Sequence, residues 1–216
     1  MAVGSSCSSY TKRARLERTI INLEKRSIPA RLFMSKHELL SYVKSVIPNG
    51  STVGVGDSMT LDQLGLISWL RGGGFCFLDK YDQSLSSQDK RSIYLRNFDA
   101  DFFLSGINAI SEEGEIFNLD GNGSRVAPII YGPRKVILIA GSNKVVKNEG
   151  EAIQRIKRVA APQDAIRLEK KTPCAITGTC VDCRSSDRIC NYLTSIKSQF
   201  NPNRIEVLLV SCELGL

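Results

Sequence analysis

The chain has 216 residues, 42% of them hydrophobic, and its 29 basic and 22 acidic side chains leave a formal charge of +7. That length can bury a sizeable core and suits one α/β domain, while the longest apolar runs, such as residues 136–140, fall far short of the roughly 20 residues that a membrane-spanning helix needs. Much of the positive charge lies in two helical stretches with no interleaved aromatics, which argues against nucleic acid as a partner, and the absence of an apolar leader points to a cytoplasmic location.

Taken in chain order, residues 1–15 are expected to form a flexible terminus that runs into a basic helix built on Leu16, Ile20 and Leu23. Ser35 and Glu38 have the spacing of a capping box, and Leu39, Leu40, Val43, Val46 and Ile47 supply the apolar face behind it. The sequence Pro48-Asn49-Gly50 stops that helix. Residues 52–55 read as a strand, 60–70 as a helix ended by three glycines, 75–78 as a strand and 84–96 as a weaker helix. Short strands follow at 102–104 and 115–118, then a short helix at 125–131 and a buried strand at 136–140. Residues 149–160 make the best helix, with acids in its first turn, bases near its end and Pro162 beyond it. A cysteine-rich insert at 173–190 precedes a last strand at 205–210. Alternating strands and helices predict an α/β fold over 16–216, a mostly parallel sheet with helices on both faces.

Three loops follow predicted strands, where open α/β sheets bind ligands. In the first, Gly54 and Gly56 let a backbone come close, and Asp57, Ser58 and Thr60 bring an acid and two hydroxyls to a helix start, which suits a phosphate or carboxylate. A plain glycine turn with Ser58 as helix cap fits the same residues. The second polar block contains Asn108, Asn118 and Asp120, with Asn122 and Arg125 nearby. The third contains Asn143 and Lys144, an amide and a point charge for an anion. Asp120 and Glu213 are the carboxylates available as acid or base. The lone His37 and Trp69 read as bystanders, with Trp69 in the core.

Of the seven cysteines, Cys7 falls in the terminus, Cys76 reads as a small core side chain and Cys212 ends the last strand. Cys174, Cys180, Cys183 and Cys190 cluster with C-x5-C-x2-C-x6-C spacing. Thiolates at that density point to an iron–sulfur cluster, or to zinc in a four-sulfur site; redox disulfides or free thiols are the remaining readings.

The blocks GVGDSMTLDQLGL, GINAISEEGEIFNLDGNGSRVAPIIYGPRKVILIAGSNKVV and TPCAITGTCVDC resemble the LUD (lactate-utilization) domain family from Leu16 to the end of the chain. The resemblance implies a fold similar to the ribose-5-phosphate isomerase, glucosamine-phosphate deaminase and CoA-transferase group, whose first strand-to-helix loop binds a substrate phosphate or its equivalent. It also implies a small organic acid or phosphorylated metabolite as ligand, and a role in oxidising lactate to pyruvate beside iron–sulfur oxidoreductase subunits. Methylthioribose-phosphate isomerases of this broad fold have a similar second block, but this chain has Asn108 in place of their proton-handling Asp, and an amide is not a general base. A sugar-phosphate isomerase, an acyl-CoA-handling enzyme and a metal-binding scaffold are the alternative readings.

Overall fold

The computed structural model describes residues 3–216, with side chains from Thr11 onward. The thiol of Cys7 and most side chains of the expected flexible terminus lie outside that description. The helices are α1 (Val3–Lys25), α2 (Lys36–Val46), α3 (Met59–Gln63), α4 (Leu66–Arg71), α5 (Ser87–Arg96), α6 (Val126–Ile130), α7 (Glu149–Arg155), α8 (Ala161–Arg167) and α9 (Pro173–Thr177). The strands are β1 (Ala30–Phe33), β2 (Thr52–Val55), β3 (Cys76–Phe77), β4 (Phe102–Gly106), β5 (Ala109–Ser111), β6 (Ile116–Asp120), β7 (Lys135–Gly141), β8 (Val145–Val146), β9 (Tyr192–Ile196) and β10 (Ile205–Val210).

Six strands form an all-parallel sheet in the order β1-β10-β7-β4-β2-β3. Its central strands are mostly apolar because both faces are covered, and the two-residue period sorts their apolar side chains between two cores. Val136, Leu138 and Ala140 of β7 join Val207 and Leu209 of β10 in a core that includes Leu16 and Leu23 of α1. The intervening Ile137, Ile139, Leu208 and Val210 join the other core with Leu39 and Val43 of α2 and Leu61, Leu66 and Leu70 of α3 and α4. A second, mixed sheet, β8-β5-β6-β9, leaves the carboxyl ends of β4 and β7. It carries the second polar block. No described helix is long and apolar enough to cross a membrane.

Local chemistry accounts for the helix starts. The capping box at Ser35 and Glu38 forms as the spacing predicts, and α5 has a second one, from Ser86 and Asp89. The helix read at 60–70 is instead two short ones, broken where Gly65 takes φ +67, a conformation that suits glycine. The helix read at 149–160 does not stop at Pro162. A π turn over Ile156–Ala160 leads into α8, where Pro162 occupies the first turn and its missing N–H is not needed. Cys76 is exposed rather than in the core, because β3 lies at the sheet edge. Trp69 is half-buried against Phe75, with ring centroids 4.8 Å apart.

A candidate anion-binding cavity

A cavity of about 470 Å³ opens at the carboxyl ends of β2, β3, β4 and β7, with the second sheet and the cysteine-rich segment as its far wall. Asp57 and Ser58 enter from the loop after β2, Lys80 and Tyr81 from the loop after β3, Asn108 from the loop after β4, and Lys144 from the turn after β7. Leu119 and Asp120 come from β6 and Arg125 from just before α6; Arg167 ends α8, and Arg188 belongs to the cysteine-rich segment.

Three cations in this wall are almost completely buried: Lys80 is 8% exposed, Arg125 8% and Lys144 4%. Among the described residues, none of them has a carboxylate within ion-pairing distance. Arg125 is held by neutral acceptors, with Nη1 donating to Asn118 Oδ1 at 3.0 Å and Nη2 to Asn108 Oδ1 at 2.7 Å and to the Leu119 carbonyl at 2.6 Å. Lys144 Nζ donates to Thr60 Oγ1 at 3.0 Å. Lys80 lies over the rings of Tyr81 and Tyr94, 5.2 and 5.9 Å from their centroids. Burying charge without a counter-ion is costly, and the ammonium groups respond. Burial lowers Lys80 to about 8, an effect that Asp57 partly offsets. Burial, with the charges of Arg155 and Arg125, lowers Lys144 to about 7. Burial pushes the Asp57 carboxyl up, but Lys80, Arg167 and Arg125 together outweigh it and hold the group below the usual carboxylate range. Arg167 bridges Asp57 at 3.0 Å and Asp164 at 2.7 Å, which ties the glycine loop to α8.

Of the residues singled out in the sequence, Asp57, Ser58, Asn108, Asp120 and Lys144 line the cavity. Gly54, Gly56, Thr60, Asn118 and Asn143 stand behind it. A Cβ on Gly54 would collide with Asn97 and Phe103, and one on Gly56 with Ser105 and Arg125, so both glycines admit protein rather than ligand. Thr60 positions Lys144, and Asn118 positions Arg125. Asn143 braces the last loop, donating to the Gly215 carbonyl at 3.2 Å and accepting from Leu214 N at 3.1 Å. Asp120 accepts from the backbone N–H groups of Asn122, Gly123, Arg125 and Val126, so its oxygens fold the turn into α6. Glu213 and His37 are exposed and lie away from the cavity.

The cysteine-rich segment adds Ser186, Asp187, Arg188 and Ile189 to the cavity wall. Arg188 donates to the carbonyls of Cys183 and Cys190 and to Asp182, and so organises the loop. Burial pushes the Cys190 thiol up against the pull of Arg188, and Cys180 and Cys183 add to the push. Cys174 Sγ lies 3.3 Å from the Thr172 hydroxyl. Among the described residues, no three Cys, His, Asp or Glu side chains gather into a metal-binding group.

The sequence matches the LUD domain family over residues 16–210. The chain belongs to the LUD domain family. In structure this LUD domain is similar to a DUF162 family protein from Deinococcus radiodurans, with a TM-score of 0.53 and 14% identity over 92% of this chain and 98% of that one, which is a likeness of fold. It also matches eIF2B beta from Chaetomium thermophilum over 54% of this chain and 44% of that one, at a TM-score of 0.36 and 12% identity, too low to carry an argument. No curated protein matches it in sequence.

Lys80, Tyr81, Tyr94, Arg167 and Arg188 are cavity residues of the LUD domain that the sequence reading did not reach. Lys80 and Tyr81 had a signal, since they follow a predicted strand as the first two loops do. The other three come from a helix, a helix end and an irregular segment, where nothing local marks a ligand.

Proposed function

We propose that this LUD domain holds a small organic acid in its cavity, in the cytoplasm, and serves the oxidation of lactate to pyruvate beside iron–sulfur oxidoreductase subunits. The observation that carries the reading is the trio Lys80, Arg125 and Lys144, buried in one cavity wall with no carboxylate paired to any of them. A bound anion would supply the missing charge and raise both lysines back toward their ordinary values. The chain has no recognisable flavin or nicotinamide motif, so electron removal is assigned to the partner subunits. The cavity volume of about 470 Å³ is several times that of a three-carbon acid and favours a phosphorylated metabolite as the second candidate.

Calorimetry with lactate, pyruvate and inorganic phosphate tests this reading. At about pH 8, binding should take up protons, seen as heats that depend on the buffer's ionisation enthalpy, and affinity should fall as pH rises from about 7 to 9. Failure of every one of these anions to bind would end the proposal.

A further inference from the structure

We propose that Lys144 forms a Schiff base, its amine condensing with the carbonyl of a 2-oxo acid whose carboxylate is held by Arg125 and Asn108 in the same cavity. The inference rests on the anion-binding reading and goes beyond it by naming the reactive group and the substrate class.

Geometry supports it first. Lys144 stands three residues past the end of β7 with its side chain 4% exposed, and it still lines the cavity. Its only hydrogen-bond partner among the described residues is the Thr60 hydroxyl, 3.0 Å from Nζ. That contact fixes the amine with no carboxylate beside it to offset the water it has lost. The charged groups that face it are Arg155 of α7, Arg125 before α6 and Asp164 of α8; the two arginines disfavour the ammonium and the aspartate favours it. Burial joins the arginines, and the amine titrates at about 7. A desolvated lysine beside other cations is the form in which an amine acts as a nucleophile near neutral pH.

The second half of the site selects the acid. Asn108 Oδ1 is committed to Leu119 N at 2.9 Å and to Arg125 at 2.7 Å, so its Nδ2 donors are left at the cavity wall. Arg125 gives three hydrogen bonds to neutral acceptors through Nη1 and Nη2 and has no carboxylate paired to it among the described residues, so its charge suits a carboxylate. Lys144, Arg125 and Asn108 line the same cavity, so one small acid can present its carbonyl to the amine and its carboxylate to the guanidinium. In the reaction the Lys144 nitrogen bonds to the carbonyl carbon as the C=O π bond breaks. Both amine protons pass to the carbonyl oxygen, which leaves as water, and a C=N bond remains. Thr60 is a positioning residue for the amine.

Borohydride trapping of the full chain with pyruvate at about pH 8 tests the assignment. Intact mass should rise by one pyruvic acid less one oxygen atom, and peptide mapping should locate the adduct at Lys144. Lactate, which has no carbonyl, should give no adduct. Lys144→Arg should lose the adduct while keeping the charge. The trapping rate should climb as pH rises from about 7, as the amine gives up its proton. No adduct in the wild-type chain, or one at Lys80 or spread over surface lysines, would overturn the proposal whatever the variant does. Oxalate calorimetry run alongside separates the two levels of inference: oxalate binding without pyruvate trapping sinks the Schiff base alone, and absence of all anion binding sinks the site as well.

Discussion

Replacing Lys144 by Met should stabilise the fold at low pH and stop doing so at high pH. The substitution keeps an unbranched side chain of similar length and removes the ammonium. A fall from 10.5 in the unfolded chain to about 7 in the folded one corresponds to about 5 kcal/mol of extra cost for carrying the charge inside. Below about pH 7 both states hold the proton, and the folded chain bears that whole cost. Between about 7 and 10.5 the folded chain has released the proton while the unfolded chain retains it, so wild-type stability rises with pH across this window. The Thr60 hydroxyl loses its partner in the variant, a loss of about 1 kcal/mol that does not change with pH. The expected result is a gain of about 3–4 kcal/mol near pH 6 that vanishes by about pH 10. Urea unfolding of both proteins at a series of pH values measures it. A difference between the two that is the same at every pH would show that Lys144 is not a strained charge, and the electrostatic account of the cavity would fall with it.

Gly56→Ala should cost about 1–3 kcal/mol and weaken anion binding, because the new methyl would displace Ser105 and Arg125, whose Cγ would stand 2.7 Å away. Gly54→Ala should destabilise comparably through Asn97 and Phe103 while leaving anion affinity intact, and the two proteins are compared by unfolding and calorimetry; equal loss of affinity in both would refute the distinction. The thiols give a separate expectation. If Cys174, Cys180, Cys183 and Cys190 take up iron or zinc, the double variant Cys180→Ser, Cys183→Ser should lose the metal with the main sheet intact. Metal analysis of anaerobically purified protein decides it, and less than about one-tenth of an equivalent would remove the cluster.

The main sheet was largely legible because its strands announce themselves. The apolar runs at 52–55, 102–104, 136–140 and 205–210 are covered on both faces, so burial is written continuously into the sequence. The second sheet was mostly missed for the opposite reason. β5 and β8 are three and two residues long, and β9 has Tyr192 and Leu193 exposed, so none shows a period that local reading can use. β1 is four residues with Arg31 inside it, and its place at the sheet edge comes from pairing with β10, about 175 positions away along the chain.

The candidate site follows a similar logic, with charge in place of burial. Sequence position marks residues at strand ends, and that sufficed for Asp57, Ser58, Asn108 and Lys144. It does not say whether a charged residue will be paired, because pairing depends on which distant segments meet. Arg125 was visible in the polar block, yet its importance lies in having Asn118, Asn108 and the Leu119 carbonyl around it where a carboxylate would have neutralised it. Asp120, five residues before it, is the nearest acid in the sequence, and it is spent on four backbone N–H groups. That diversion leaves Arg125 without a counter-ion. The turn into α6 therefore does two things with one carboxylate: it satisfies the orphan donors of a helix start and keeps the neighbouring guanidinium charged and available to the cavity.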